Sequence, residues 1–233
     1  MARVRRIVTS RSGGASRPPY ATFNLALHVG DDSAAVTANR ARLAGATGLP
    51  PARLVWMQQV HGAAVAVVDG PPPEPLPETD GLVTATPGLA LAVLVADCVP
   101  VLVASPAAVA AVHAGRAGAA AGVVPAAVRA LVAAGADLAA ADALLGPAVC
   151  GACYEVPAAM RDEVEAALPG SATTTGRGTP GLDLRAGLAR QLADLGVARV
   201  VVDPRCTAED PELFSHRRDG TTGRQAGVTW LEP

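Results

Sequence analysis

Four histidines and four cysteines make up the imidazole and thiol inventory of this 233-residue chain, and three of these eight residues sit in unusual places. His61 lies in Gln58–Gly62 (QQVHG) between two apolar runs, Cys98 follows an apolar run in Ala96–Pro100 (ADCVP), and His113 ends another in Val112–Gly115 (VHAG). Groups at strand ends of an α/β protein meet in one crevice even when distant in sequence. Two imidazoles and a thiolate can hold Zn²⁺ with its fourth position open, where the ion polarises an oxygen or brings a bound water to a pKa of about 7. Spacing alone does not force a common site. A cysteine after an apolar run is also a small buried hydrophobe, and Cys98 with His113 is equally a nucleophile and its base. Cys150 and Cys153 have C-x-x-C spacing, but with no second such pair the spacing by itself assigns no metal.

The elements that must position these groups can be read from periodicity. Val4 to Thr9 is expected as a first strand. Asp32 or Ser33 caps a helix that carries Val36, Arg40 and Leu43 and stops near Gly45 or Gly48. Leu54 to Met57 and Ala63 to Val68 read as strands on either side of His61. Leu82 to Thr84, Leu89 to Ala96, Val101 to Ala104 and Val109 to Val112 are β-rich apolar runs typical of strands buried on both faces. Gly118 to Ala134 is expected as a helix broken at Pro125, followed by a strand at Ala143 to Leu145. Helices at Pro157 to Leu168 and Leu182 to Leu195, and strands at Arg199 to Val202 and Gly227 to Leu231, complete the chain. Strands and helices interleave without a regular βα rhythm. The expected fold is therefore α/β, a single compact domain over residues 1–233 with a mixed β-sheet covered by helices.

Composition narrows the function. Half the residues are apolar, 17% are charged and the formal net charge is −2, a globular profile without the basic stripe of a nucleic-acid binder. No lysine occurs, so all 19 basic residues are arginine. The most apolar run, Leu89 to Ala104, carries Asp97 and Pro100 and is too short to span a bilayer. The first ten residues lack the apolar stretch of a secretory signal. A cytoplasmic protein with neither membrane nor nucleic-acid partner is expected, its cysteines thiols or ligands rather than disulfides.

Seven segments in order carry a resemblance: Tyr20–Asp32 (YATFNLALHVGDD) with Asn39 and Arg40, Trp56–Gly62 (WMQQVHG), Thr79–Thr84 (TDGLVT), Ala96–Pro100, Val112–Gly115, Leu145–Pro147 with Cys153–Val156 (CYEV), and Phe214–Gly220 (FSHRRDG) with Thr222–Arg224. Together they resemble the laccase-domain or multicopper polyphenol oxidase proteins, a family also known as purine nucleoside phosphorylases and as peptidoglycan editing factors. The resemblance implies a compact α/β fold and a zinc ion on His61, Cys98 and His113, with copper as a substitute. It also implies phosphorolysis of adenosine, inosine and methylthioadenosine, deamination of adenosine, and nucleosides and phosphate as partners.

Within that frame Arg40 is the first candidate to clamp phosphate, since a guanidinium holds it through two hydrogen bonds. Asn24 would orient ribose or phosphate, His28 would support the site, and Glu155, just before a helix, would act as acid or base with Cys98 and His113. Arg217, with Arg218 and Arg224, would meet an anionic substrate beside His216. Asp97 would orient a ligand, although as a strand residue it would point away from Cys98. Where many relatives read Trp-Arg after His-Ala-Gly, this chain reads Arg116 and Ala117, which bears on substrate choice.

Counting tests the oxidase name. A blue-copper site also uses two histidines and a cysteine, but laccase chemistry needs an imidazole-rich copper cluster that four histidines cannot supply. Two alternatives stay open: a metal-free cysteine hydrolase or amidase acting on cell-wall precursors, and a binding protein without turnover.

Overall fold

The apolar runs pair into strands in the computed structural model, which describes residues 3–233. The strands are β1 (Val4–Val8), β2 (Leu54–Val55), β3 (Val65–Val67), β4 (Gly81–Thr84), β5 (Ala90–Val95), β6 (Val99–Ala104), β7 (Val109–Ala114), β8 (Asp142–Leu145), β9 (Ala172–Thr174), β10 (Pro180–Leu182), β11 (Arg199–Val202) and β12 (Gln225–Leu231). The helices are α1 (Ser33–Thr47), α2 (Arg116–Ala120), α3 (Val123–Ala133), α4 (Ala158–Ala167), α5 (Leu184–Asp194) and α6 (His216–Asp219).

The mixed sheet is realised as two sheets, with a small β9–β10 pair beside them. One runs β1-β12-β5-β2 and the other β11-β8-β6-β7-β4-β3, each mostly antiparallel with parallel pairs at the edges. Alternation along each strand sorts its side chains between layers. Leu91, Val93 and Val95 of β5 face Leu102, Ala104, Val109 and Ala111 across the gap between the sheets. Ala90, Ala92 and Leu94 point the other way, onto Leu43 and Ala44 of α1 and onto Phe23 and Leu25. On the outer face of the six-stranded sheet, Val101, Val103, Ala110 and Val112 pack under Val124, Val128 and Leu131 of α3 and Leu188 and Leu192 of α5. The result is helix, sheet, sheet, helix, and it explains why β5 and β6 both read as doubly buried.

Local signals set the boundaries. Asp32 caps α1, its carboxylate accepting from the Ala34 N–H at 2.9 Å, and Gly48 ends it in the left-handed conformation. The expected helix after Gly118 starts at Arg116 and breaks at Gly122, φ +84°, rather than at Pro125. Pro125 falls in the first turn of α3, where its missing N–H leaves no intrahelical bond unmade. Among the described residues no helix is long and apolar enough to cross a membrane.

Candidate active site

The six-stranded sheet brings the chemistry to one edge. β6 and β7 are antiparallel with Pro100 opposite His113, so Cys98, just before β6, lies beside the end of β7. β4 is antiparallel to β7 with Gly81 opposite Val112, which puts Asp80 next to His113, and the His113 N–H donates to the Asp80 carbonyl at 2.7 Å. β3 runs parallel to β4, so the loop carrying His61 enters at the same edge. β5 belongs to the other sheet. The chain changes sheets within Ala96, Asp97 and Cys98, and Asp97 takes φ +88° to do so.

His61, Cys98 and His113 offer ligand atoms within 4.8 Å of one another. Cys98 Sγ is 3.8 Å from His61 Nε2, and the two imidazoles stand edge to face at 4.6 Å. Asp80, fully buried, builds this triangle. His113 Nδ1–H donates to Asp80 Oδ1 at 2.7 Å, which leaves Nε2 for the cleft. The same carboxylate accepts the backbone N–H groups of Val60, His61 and Gly62 at 3.2, 3.0 and 2.7 Å, holding His61 at φ +61°. Gly115 closes the floor, because a Cβ there would sit 2.8 Å from His61 Cδ2 and 3.1 Å from Cys98 Sγ.

The electrostatics pair a thiolate with a protonated imidazole, whose proton a bound cation would displace. Burial pushes the Cys98 thiol up, but hydrogen bonds and charge from His113 and His61 outweigh it and bring the group down to about 6. Burial pulls the His113 imidazole down, and its bonds to Asp80 and Cys98 raise it to about 9. Burial raises Asp80, which His113 and the Gly62 and Val60 N–H groups then bring below the usual carboxylate range. A thiolate beside two imidazoles is a donor set for a borderline-soft divalent ion.

The triangle opens into a cavity of about 390 Å³. Its walls are Leu94, Val149, Leu184 and Tyr154, and its polar lining is Gln59, His28, His216, Arg116, Arg217 and Arg224. The Arg217 guanidinium lies 5.2 Å from the centre of the Tyr154 ring. Burial, then Arg224 and Arg40, hold His28 below the ordinary imidazole value. The Asp97 carboxylate holds the Arg217 backbone and bonds none of His61, Cys98 and His113. It accepts from Thr207 Oγ1, Ser215 Oγ and the Arg217 N–H at 2.6, 2.7 and 2.7 Å, docking α6 against the turn between the sheets.

Other expected residues lie outside the lining. Arg40 sits one step back: its Nε donates to the Leu25 carbonyl at 2.9 Å and its guanidinium stacks 4.0 Å over Trp56, and burial holds it at about 10. Asn24 is buried and bonds Ala26, Asp31 and the Arg224 N–H, so it fixes the segment that presents Arg224. The Glu155 side chain is exposed beyond the lining, although its carbonyl accepts from Arg217 Nη2 at 3.4 Å. Arg218 is spent on the Thr207, Asp210 and Leu213 carbonyls and on Asp219. Sequence reasoning missed Asp80, Gln59 and Tyr154. Asp80 had a signal, a carboxylate opening an apolar strand in TDGLVT. Gln59 had none, since its role is to bond both backbone groups of Leu94.

A two-sheet α/β fold with a His-Cys-His triangle at the floor of a cationic cleft defines a small-molecule site able to take a metal ion. Residues 5–232 match the family described as multi-copper polyphenol oxidoreductase laccase, and the chain belongs to it. A relative named purine nucleoside phosphorylase from Mycobacterium tuberculosis is 65% identical over 99% of this chain and 93% of its own length. One of that name from Corynebacterium glutamicum is 55% identical over 98% and 94%. Among solved structures, YlmD from Geobacillus stearothermophilus superposes with a TM-score of 0.90 at 34% identity, covering 99% of this chain and 92% of its own. A Neisseria meningitidis protein does so with 0.88 at 34%, covering 100% and 96%.

Proposed function

We propose that residues 1–233 form one cytoplasmic, zinc-dependent purine nucleoside phosphorylase acting on adenosine, inosine and methylthioadenosine, with adenosine deamination at the same site. The observation that carries the reading is the meeting of the donor triangle with Arg116, Arg217 and Arg224 around one cleft, while the relatives' names supply the reaction class. The cleft lies within the ~300–1,000 Å³ usual for small-molecule sites. In phosphorolysis a phosphate oxygen bonds to the anomeric carbon, the glycosidic bond breaks, and the purine leaves with its electron pair and takes up a proton.

His61, Cys98 and His113 would hold the ion, which as a Lewis acid supplies charge stabilisation. The chain's own groups do the rest. Arg217 and Arg224 gather phosphate by charge-assisted hydrogen bonds, and His28, kept neutral, accepts or donates beside them. Tyr154 gives the purine an aromatic face, with Arg116 beside it in the lining. Leu94, Val149 and Leu184 give the cleft its apolar lining and exclude water there. Arg40 and Asn24 support this lining from behind, and Glu155 anchors Arg217 through its carbonyl.

Adenosine and inosine incubated with and without phosphate, then separated by chromatography, test the reading. Free base that forms only with phosphate is expected, and release at equal rates without phosphate overturns phosphorolysis. A second reading has its own observation: Cys98, His113 and Asp80 line up as a nucleophile, a base and the group that orients it. A cysteine hydrolase is insensitive to strong chelators and inactivated by thiol alkylation even after metal removal, whereas the phosphorylase loses activity with the metal.

A further inference from the structure

Behind the cleft lies a second cluster of donor groups that the proposed reaction does not use. Cys150, Cys153, Cys206 and Glu209 place their ligand atoms within 4.8 Å of one another. The two halves are built alike. Cys150 to Cys153 folds as a tight turn in which the Cys153 and Tyr154 N–H groups donate to the Cys150 carbonyl at 3.0 and 2.9 Å. Cys206 to Glu209 repeats it, with the Glu209 and Asp210 N–H groups donating to the Cys206 carbonyl at 3.2 and 2.8 Å. Each turn thus presents its first and fourth side chains on one side, and the turns face each other. The register is fixed by a parallel bridge between Ala148 and Cys206 and by the Thr207 N–H donating to the Ala148 carbonyl at 3.1 Å.

A backbone N–H already points at sulfur. The Cys150 N–H donates to Cys206 Sγ at 3.3 Å. Glu209 completes the set, its Oε1 3.4 Å from Cys153 Sγ. Three sulfurs and a carboxylate make a four-coordinate set, and tetrahedral zinc with Zn–S of about 2.3 Å needs sulfurs roughly 3.8 Å apart. Contraction by about 1 Å or less from the 4.8 Å envelope meets that.

We infer that Cys150, Cys153, Cys206 and Glu209 form a closed structural zinc site, separate from the His61, Cys98 and His113 triangle. All four positions are filled by the protein, so the site holds structure rather than substrate. Its place gives it a purpose. Cys153 precedes Tyr154, a wall of the cleft, and Cys206 precedes Thr207, whose hydroxyl donates to the Asp97 carboxylate that positions Arg217. One ion would therefore pin both loops that shape the cleft.

The test uses the full chain carrying His61→Ala and His113→Ala, which disables the first site. One equivalent of zinc per chain is expected to remain, with X-ray absorption showing mainly sulfur at about 2.3 Å. Cobalt in its place should give thiolate charge-transfer absorption. Adding Cys206→Ser should abolish this equivalent, and Glu209→Gln, at an exposed ligand, should weaken retention against a chelator tenfold or more. If the double variant does not fold, the parent chain decides, losing one of two zinc equivalents with Cys206→Ser while circular dichroism is kept. A zinc-free chain in which Cys150, Cys153 and Cys206 titrate as readily as Cys98 overturns the inference. So does a disulfide among the three cysteines, seen as a loss of two hydrogens in the mass, which would mark a redox pair. Zinc retained equally by parent and Cys206→Ser marks adventitious metal and also overturns it.

Discussion

Substituting Gly115 by alanine separates the site from the fold. Gly115 has φ −77° and ψ 169°, a conformation alanine adopts freely, so the perturbation is steric alone. The new methyl would lie 2.8 Å from His61 Cδ2. Ordinary carbon–carbon contact needs about 3.5–4.0 Å, so the imidazole must retreat by roughly 0.7–1.2 Å. A zinc ligand tolerates departures of about 0.2 Å, and disturbed ligand support costs about 10–100-fold in metal affinity. That is about 1.4–2.7 kcal/mol. Folding should hardly change, since replacing glycine gains about 0.4–1 kcal/mol from the unfolded chain and alanine caps α2 less well by a similar amount. The assay is competition against a chelator of known affinity, with thermal unfolding in parallel. In a His61→Ala background most of the Gly115→Ala effect should vanish, because the clashing ring is gone. Metal affinity within threefold of the parent, or an equal effect with and without His61, would refute the reasoning.

Asp80→Asn should destabilise the chain by about 3 kcal/mol, because an amide N–H₂ meets donors already aimed at the carboxylate; chemical unfolding checks this, and metal loading should fall with it. Arg217→Ala should raise the KM for phosphate about 10–150-fold, the ~1.5–3 kcal/mol of a charged hydrogen bond, with little change in the KM for nucleoside. Arg40→Ala should lower stability by about 1–2 kcal/mol through loss of the Leu25 bond and the Trp56 stack. A tenfold rise in phosphate KM in that variant would place its guanidinium on the substrate instead. Burial raises Asp203, but its bonds to Arg205 and that residue's charge outweigh it and hold the carboxyl below its ordinary value of 3.8. A carboxylate depressed by folding contributes stability above its unfolded pKa and loses it as pH falls through the folded value. Asp203→Asn should therefore flatten the decline in stability below about pH 4, measured by denaturant titration across pH.

His61, Cys98 and His113 stood out singly because they flank apolar runs, and the family resemblance joined them. The fold brings them together because the ends of β4, β6 and β7 meet at one end of the sheet. Helix α1 was equally plain, since its Asp32 cap and Gly48 stop are local chemistry. Three things were not. That β5 and β6 belong to different sheets is invisible in two adjacent apolar runs, each buried on both faces whichever sheet it joins. The short strands β9 and β10 carry threonine, proline and glycine and owe their pairing to neighbours rather than to their own pattern. The C-x-x-C pair looked bare because its partners Cys206 and Glu209 come 56 residues later. Arg40 and Asn24 drew attention for groups that bind anions or sugars, yet in the fold Arg40 gives its Nε–H to the Leu25 carbonyl, and the Asn24 amide donates to Ala26 and Asp31 and accepts the Arg224 N–H. Charge and polarity advertise a residue; only packing decides whether it faces a substrate or its own chain.

Asp80 reaches one imidazole through its ring and the other through its peptide N–H, so two of the three candidate ligands hang from a single carboxylate. Loss of a candidate ligand leaves the bonds of Asp80 to the others in place, whereas loss of the aspartate removes the bonds that hold both histidines while leaving them in the sequence. A scan for ligands would then still count the chain as competent. Position 80 is therefore the letter to inspect first when sorting working copies of this fold from retired ones.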